Sequence, residues 1–160
     1  MEKREIYDYL ESLGIPFEVT EHPAVYTIEE MERISLPHME DVCKNLFLRD
    51  ARGKRHFLVV MEGSKNADLE ALGALLGTKL SFASEERLDR YLGLRKGAVT
   101  PLGVLNDPEG AVTLVFDNDL KKRRRVGVHP NDNTATIWLG FTDLESIVRS
   151  NGNPIVYTDF

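Results

Sequence analysis

Two apolar runs, Asn45-Leu46-Phe47-Leu48-Arg49 and His56-Phe57-Leu58-Val59-Val60-Met61, flank the turn Asp50-Ala51-Arg52-Gly53-Lys54. No other feature restricts the fold as much. Both runs have the length and apolar content of strands, and Gly53 supplies a turn position where positive φ is cheap. The segment predicts an antiparallel hairpin near the centre of a sheet.

The remaining segments supply what would cover such a sheet. Ile6, Tyr9, Leu10 and Leu13 share one helical face, with Gly14 at the C-terminal cap. Pro16 starts an extended piece over Phe17–Glu21, and Thr27 with Glu30 forms a capping-box signature for a short helix to about Ser35, with His22-Pro23 in the loop between. Asn66 precedes a helical stripe of Leu69, Leu72, Leu75 and Leu76 closed by Gly77, a short strand lies near Lys79–Phe82, and Ser84 caps Glu85 to Leu92 before Gly93. After a loop-like stretch from Gly97 to Gly103 come three extended runs, Val112–Asp117, Arg124–Val128 and Thr134–Leu139. Thr142 and Glu145 suggest another capping box for a helix carrying Leu144, Ile147 and Val148, which Gly152 ends before a last strand, Ile155–Tyr157. The order predicts a single α+β domain over residues 1–160, with one mixed, mostly antiparallel sheet flanked by helices.

A formal net charge of −6 argues against a protein that coats nucleic acid non-specifically, since Lys and Arg must supply each phosphate contact. Two local basic clusters remain, Arg49/Arg52/Lys54/Arg55 and the consecutive Lys121 to Arg125. No apolar run approaches the roughly 20 residues that span a bilayer, and the opening Met1-Glu2-Lys3-Arg4-Glu5 is unlike a signal peptide, so a cytoplasmic protein without membrane contact is expected. The single Cys43 excludes a disulfide framework and a four-thiolate metal site. His22, His38, His56 and His129 lack second ligands at metal-binding spacing, and phosphate-loop, Rossmann and His-Glu-x-x-His signatures are absent. Neither a metal nor a cofactor is expected.

Three places have residues suited to chemistry. Lys44 and Asn45 stand at the entry to the first apolar run, where a lysine can bind a phosphate or carboxylate as a point charge or simply reach solvent. Cys43 beside them is either a nucleophile or a small core residue. The loop Gly97-Ala98-Val99-Thr100-Pro101-Leu102-Gly103 can bring backbone N–H groups against a carbonyl, or be an ordinary turn. Gly127-Val128-His129-Pro130-Asn131-Asp132-Asn133-Thr134 is a polar turn in which His129 can exchange protons or position a substrate, though Asn and Asp are common turn residues.

In this order, the Lys44-Asn45 strand start, the Gly-x-x-x-Pro loop from Gly97 to Pro101 and the Gly-x-His-Pro-x-x-Asn segment from Gly127 to Asn133 resemble the YbaK/prolyl-tRNA synthetase editing-domain family. The wording is most similar to its freestanding Ala-tRNA(Pro) deacylase branch. The resemblance implies a mostly antiparallel sheet curled around a pocket, and hydrolysis of the ester joining a wrong amino acid to the 3′-terminal adenosine of a tRNA. It further implies that Lys44 anchors the terminal phosphate or adenosine, Asn45 hydrogen-bonds near the ester, and the backbone of Gly97, Ala98, Val99, Thr100 and Pro101 positions the carbonyl and attacking water. His129 and Asn133 would complete the pocket, His129 positioning substrate rather than serving as an obligatory base.

Met31, Ile34 and Leu36, with Val59 or Met61, are candidate linings of the amino-acid pocket and equally candidate core. The partners implied are the acceptor end of an aminoacyl-tRNA, with the basic clusters on its phosphates, and prolyl-tRNA synthetase. Alternatives are a Cys-tRNA(Pro) or Ser-tRNA deacylase, a non-catalytic tRNA- or synthetase-binding module, and a small-molecule enzyme using Cys43.

Overall fold

The computed structural model describes residues 1–160 and puts the hairpin inside a five-stranded sheet. Strands β2 (Cys43–Arg49) and β3 (His56–Glu62) pair antiparallel with Asn45 opposite Val60 and Leu46 opposite Val59. β5 (Val112–Asp117) lies parallel to β3, β8 (Ile155–Thr158) lies parallel to β5, and the two-residue β4 (Ser81–Phe82) pairs antiparallel with Leu48 and Arg49 of β2. β3 is the central strand, and every residue from His56 to Met61 is buried.

Alternate residues of β3 feed two cores, as the strand period requires. Leu58 and Val60 join Leu114 and Phe116 under α1 (Lys3–Ser12), α4 (Glu85–Leu92) and α5 (Phe141–Asn151), which contribute Ile6, Leu10, Leu88, Leu92, Leu144 and Ile147. Phe57, Val59 and Met61 face the other way and pack with Leu48, Val115 and Leu72 of α3 (Leu69–Leu76). Val59 and Met61 are therefore core and line no substrate pocket.

The expected single sheet is divided in two. β1 (Phe17–Glu21), β7 (Ala135–Leu139) and β6 (Val126–Val128) form a separate antiparallel sheet in the order β1-β7-β6, joined to the first by one isolated bridge between Val42 and Gly127. The bridge needs glycine, because a Cβ on Gly127 would stand 2.8 Å from the Trp138 indole nitrogen and 3.1 Å from Val42 Cγ2. Over this junction lies α2 (Ile28–Arg33), whose Met31 packs with Val25, Leu36, Val42 and Trp138.

Local differences have local causes. α2 ends at Arg33, short of Ser35, which takes a positive φ of 52°. α3 is capped by Asp68, whose side chain accepts from Ala71 N at 3.0 Å, so Asn66 is left free of capping. Thr142 and Glu145 form no capping box, because the helix begins two residues earlier than that box requires, at Phe141 with Gly140 as its N-cap. The second half of the Gly97–Gly103 loop is the start of a 3₁₀ helix, Pro101–Asn106, capped by Thr100.

Gly127→Ala is expected to destabilise the protein by about 1–3 kcal/mol, the usual cost of overpacking a filled interior. Urea denaturation of the variant against wild type checks this, and an unchanged midpoint would contradict the account of the junction.

Candidate functional site

At the junction the two sheets and α2 enclose a cavity of about 540 Å³. Its walls come from the Val25–Glu32 segment, the start of β2 from Val42 to Asn45, the Gly63–Asn66 turn, Gly97 and Val99, and Gly127 to His129 with Thr136. Lys44 reaches along one wall, its ammonium donating to the Lys65 carbonyl and lying 3.3 Å from Asn66 Oδ1. Asn45 Oδ1 is buried beside it without a hydrogen-bond partner. Such an orphaned acceptor costs about 1–3 kcal/mol unless a water or ligand donor meets it.

The part of the wall that follows Gly127 has fixed polarity. His129 Nδ1 lies 2.8 Å from the Ala135 carbonyl, which can only accept, so the proton belongs on Nδ1 and Nε2 keeps its lone pair. Burial pushes the His129 pKa below its ordinary 6.5, outweighing the raising effect of the Ala135 hydrogen bond, so the ring is neutral at pH 7. Next to it the His22 ring bridges the Pro23 carbonyl at 2.8 Å and Thr136 Oγ1 at 2.9 Å, tying the entry to α2 onto β7.

The glycine loop closes the cavity's third side. Gly97 has φ +85°, and a Cβ there would meet Tyr26 Cδ1 at 2.5 Å and Asn133 Nδ2 at 3.1 Å, so both conformation and space demand glycine. Asn133 Nδ2 donates to the Val25 carbonyl at 2.7 Å, and Thr100 Oγ1 donates to the His129 carbonyl at 2.6 Å. These two residues, with the buried Ala98 and Pro101, stand behind the wall. Ile34 likewise packs in the cluster of Trp138 and Leu36 and does not line the cavity, whereas Met31 does. Of the expected set, Lys44, Asn45, Gly97, Val99, His129 and Met31 share the cavity; Ala98, Thr100, Pro101, Asn133 and Ile34 support it.

Tyr26, Glu29, Ser64, Asn66 and Thr136 also line the space and were missed by the sequence reading. Only Thr136 carried a signal, as the one hydroxyl side chain in an otherwise apolar run, Ala-Thr-Ile-Trp-Leu. The Gly63–Asn66 turn is held from below by Asp117, which is fully buried. Its carboxylate accepts from Glu62 N at 3.2 Å and Asp119 N at 3.0 Å and pairs with Lys65 at 2.9 Å. Lys44 therefore rests on a turn that a buried ion pair fixes.

The basic clusters are placed differently from expectation. Arg123 forks between Asp41 Oδ1 and Glu62 Oε2, each at 2.9 Å, and Lys122 pairs with Asp119 at 3.2 Å. Lys121 sits 3.9 Å over the Tyr157 ring, and Arg125 lies 2.7 Å from the His38 ring nitrogens. Most of that run is thus engaged within the fold. The Arg49–Arg55 cluster surrounds the far end of the β2–β3 hairpin, away from Lys44. His38, Glu40 and Asp41 bring ligand atoms within 4.8 Å of one another, but Arg125 and Arg123 already place cations on His38 and Asp41.

Cys43 lines the cavity, yet burial pushes its thiol pKa up to about 12, so at pH 7 it is a protonated thiol and a poor nucleophile. The site offers one cation, neutral acceptors, backbone donors and, from α2, the carboxylates of Glu29 and Glu32. That set can hold an ester against a positioned water, with no side chain prepared to form a covalent intermediate.

Comparison with known proteins gives a consistent picture. The family described as aminoacyl-tRNA editing domain matches residues 22–147. The chain is 52% identical over 152 residues to the prolyl-tRNA editing protein ProX of Acetoanaerobium sticklandii, covering 94% of this chain and 93% of that one. It is 34% identical to the mouse prolyl-tRNA synthetase associated domain-containing protein 1, covering 99% and 96%. A solved structure described as a candidate trans-editing enzyme for prolyl tRNA synthetase superposes with a TM-score of 0.74 over 99% of this chain and 96% of that one; at 22% identity it speaks for the fold.

His129 and His56 both have pKa values lowered mainly by burial. Below pH 6.5 the unfolded chain therefore binds more protons than the folded one, and stability falls as pH drops through 6.5 toward the folded values. Thermal melts from pH 8 to 5 should be flat above about 7 and decline below 6.5, with a shallower decline in His129→Asn. A stability constant down to pH 5 would contradict the neutral state assigned to these rings.

Proposed function

Because the chain belongs to the aminoacyl-tRNA editing domain family, we propose that it is a trans-acting deacylase that hydrolyses the ester of mischarged tRNA(Pro), with alanine as the amino acid removed and residues 1–160 as the one editing domain. The observation that carries this reading is the cavity at the junction of the sheets. It brings the Lys44 cation, the orphaned Asn45 acceptor and a neutral His129 into one space, with no activated nucleophile among them.

In this reading Lys44 holds the phosphate or ribose of the terminal adenosine, and Asn45 Oδ1 accepts from a donor beside the ester. Backbone groups of Gly97 to Val99 orient the carbonyl. His129 Nε2 accepts from the substrate amine or a ribose hydroxyl, and water is the nucleophile. The water oxygen adds to the acyl carbon, the bond from that carbon to the ribose oxygen breaks, and the ribose oxygen takes the proton. Thr100, Pro101, Ala98 and Asn133 fix the wall, and Met31 limits the side-chain space. A synthetase's prolyl site cannot strongly reject a smaller side chain, so a second, small cavity that admits alanine and excludes proline supplies the missing discrimination. Charged tRNA and prolyl-tRNA synthetase are the partners, and the cytoplasm is where they meet the protein.

Single-turnover assays on Ala-tRNA(Pro), Pro-tRNA(Pro), Cys-tRNA(Pro) and Ser-tRNA test the reading. Alanine should be lost rapidly and proline spared. Lys44→Ala should slow the reaction by on the order of 10²-fold with the fold intact, the scale of removing one electrostatic contact to the reacting group. Cys43→Ala should retain the wild-type rate within about twofold. Survival of every ester contradicts the reading, and a dead Cys43→Ala returns the thiol to the mechanism.

A further inference from the structure

β4 pairs with only Leu48 and Arg49, and the pairing closes with Ala83 N donating to the Phe47 carbonyl at 3.0 Å. Beyond that point the chain turns away into α4, and the outer edge of β2 at Asn45 and Leu46 borders a second cavity of about 320 Å³. It shares Asn45, Gly97 and Val99 with the first, so the two spaces adjoin at these residues. Its floor is Phe47 and Leu88, both buried, and its open side carries Phe82, Ser84 and Lys96. Phe82 is 61% exposed, which leaves an aromatic face in water at the edge of the site.

An unpaired aromatic face beside a lysine is the combination with which proteins hold single-stranded nucleic acid, the ring stacking a base and the cation meeting a phosphate. We infer that this groove is the subsite for the nucleotide preceding the terminal adenosine, its base stacked on Phe82 and its phosphate near Lys96. The inference rests on the deacylase reading, which puts the terminal adenosine in the adjoining cavity and obliges the strand to leave it by an open side. Gly97 and Val99, shared by both spaces, then form the step between two successive nucleotides. The adjoining groove also accounts for an acidic chain acting on RNA. Affinity comes from one stacked base and the Lys44 and Lys96 cations rather than from a broad basic face, with Glu85 also lining the groove.

Substrates of increasing length test this. Alanyl-adenosine and the alanyl ester of cytidylyl-adenosine are compared on wild type, Phe82→Ala, Phe82→Tyr and Lys96→Met. In wild type kcat/KM should rise about 10- to 100-fold on adding the second nucleotide, the range expected for one base on an aromatic ring. The ratio should collapse toward one in Phe82→Ala, survive in Phe82→Tyr and fall partly in Lys96→Met. Equal kcat/KM for the two esters in wild type, or an undiminished ratio in Phe82→Ala, overturns the inference. Hydrolysis is not the only readout. Titration of cytidylyl-adenosine against adenosine monophosphate, followed by the NMR signals of the Phe82 ring, decides the subsite even if no ester is cleaved, an outcome that would count against the deacylase reading alone. Tighter binding of the dinucleotide that needs Phe82 supports the subsite; equal binding of the two sinks it.

Discussion

The close approach of Val42 to Gly127 is the contact on which the rest of the structure depends. It is a single backbone bridge between two sheets that otherwise pair only within themselves, and it exists because position 127 carries no Cβ to strike Trp138. From that point β2 and β6 run on beside a gap. The residues that follow the bridge on each side, Cys43 to Asn45 and Val128 to His129, all line the cavity. Position along two strands leaving one joint, rather than proximity in sequence, assembles the site.

The electrostatics follow from what is buried. Lys65 and Asp117, and Arg123 with Asp41 and Glu62, are ion pairs inside the wall of the site. Breaking such a pair leaves an uncompensated charge, which makes them rigid supports rather than ligand-binding groups. Among the groups left for a ligand are Lys44, the Asn45 amide, the His129 lone pair, the loop backbone and the Glu29 and Glu32 carboxylates of α2. Lys44 rests against acceptors that a phosphate would displace, and Asn45 Oδ1 has no partner to displace. A concave site in which a few oriented polar groups are set among apolar side chains is the expected form of a small-ligand site.

Much of this was legible in the residues. The β2–β3 hairpin followed from two apolar runs around a glycine turn, and α3 and α4 from leucine stripes ending at Gly77 and Gly93, both left-handed C-caps in the structure. The helix start at Thr142 was misread because Gly140 caps it through backbone alone, a cap that leaves no side-chain signature. The division into two sheets was illegible because it turns on one long-range approach at Gly127. Lys44, Asn45, Gly97 and His129 were found through the order of three short motifs. Tyr26, Asn66 and Thr136 were not, because only tertiary packing brings them to the cavity. The basic run at Lys121–Arg125 illustrates the converse: its charge is plain in the residues, but apart from Asp119, three residues before Lys122, the groups that absorb it, Asp41, Glu62, His38 and the Tyr157 ring, lie far along the chain.

The central claim is that the junction cavity holds the aminoacyl end of the substrate. A stable mimic in which an amide replaces the ester, 3′-alanylamino-3′-deoxyadenosine, can be titrated into the ¹⁵N-labelled protein while backbone and side-chain amides are observed. Saturable shifts centred on the Asn45 side-chain amide, Gly97 and the His129 ring, lost in Lys44→Ala, are the predicted result. Shifts confined to another surface, or none at concentrations that saturate a small-ligand site, would contradict the account.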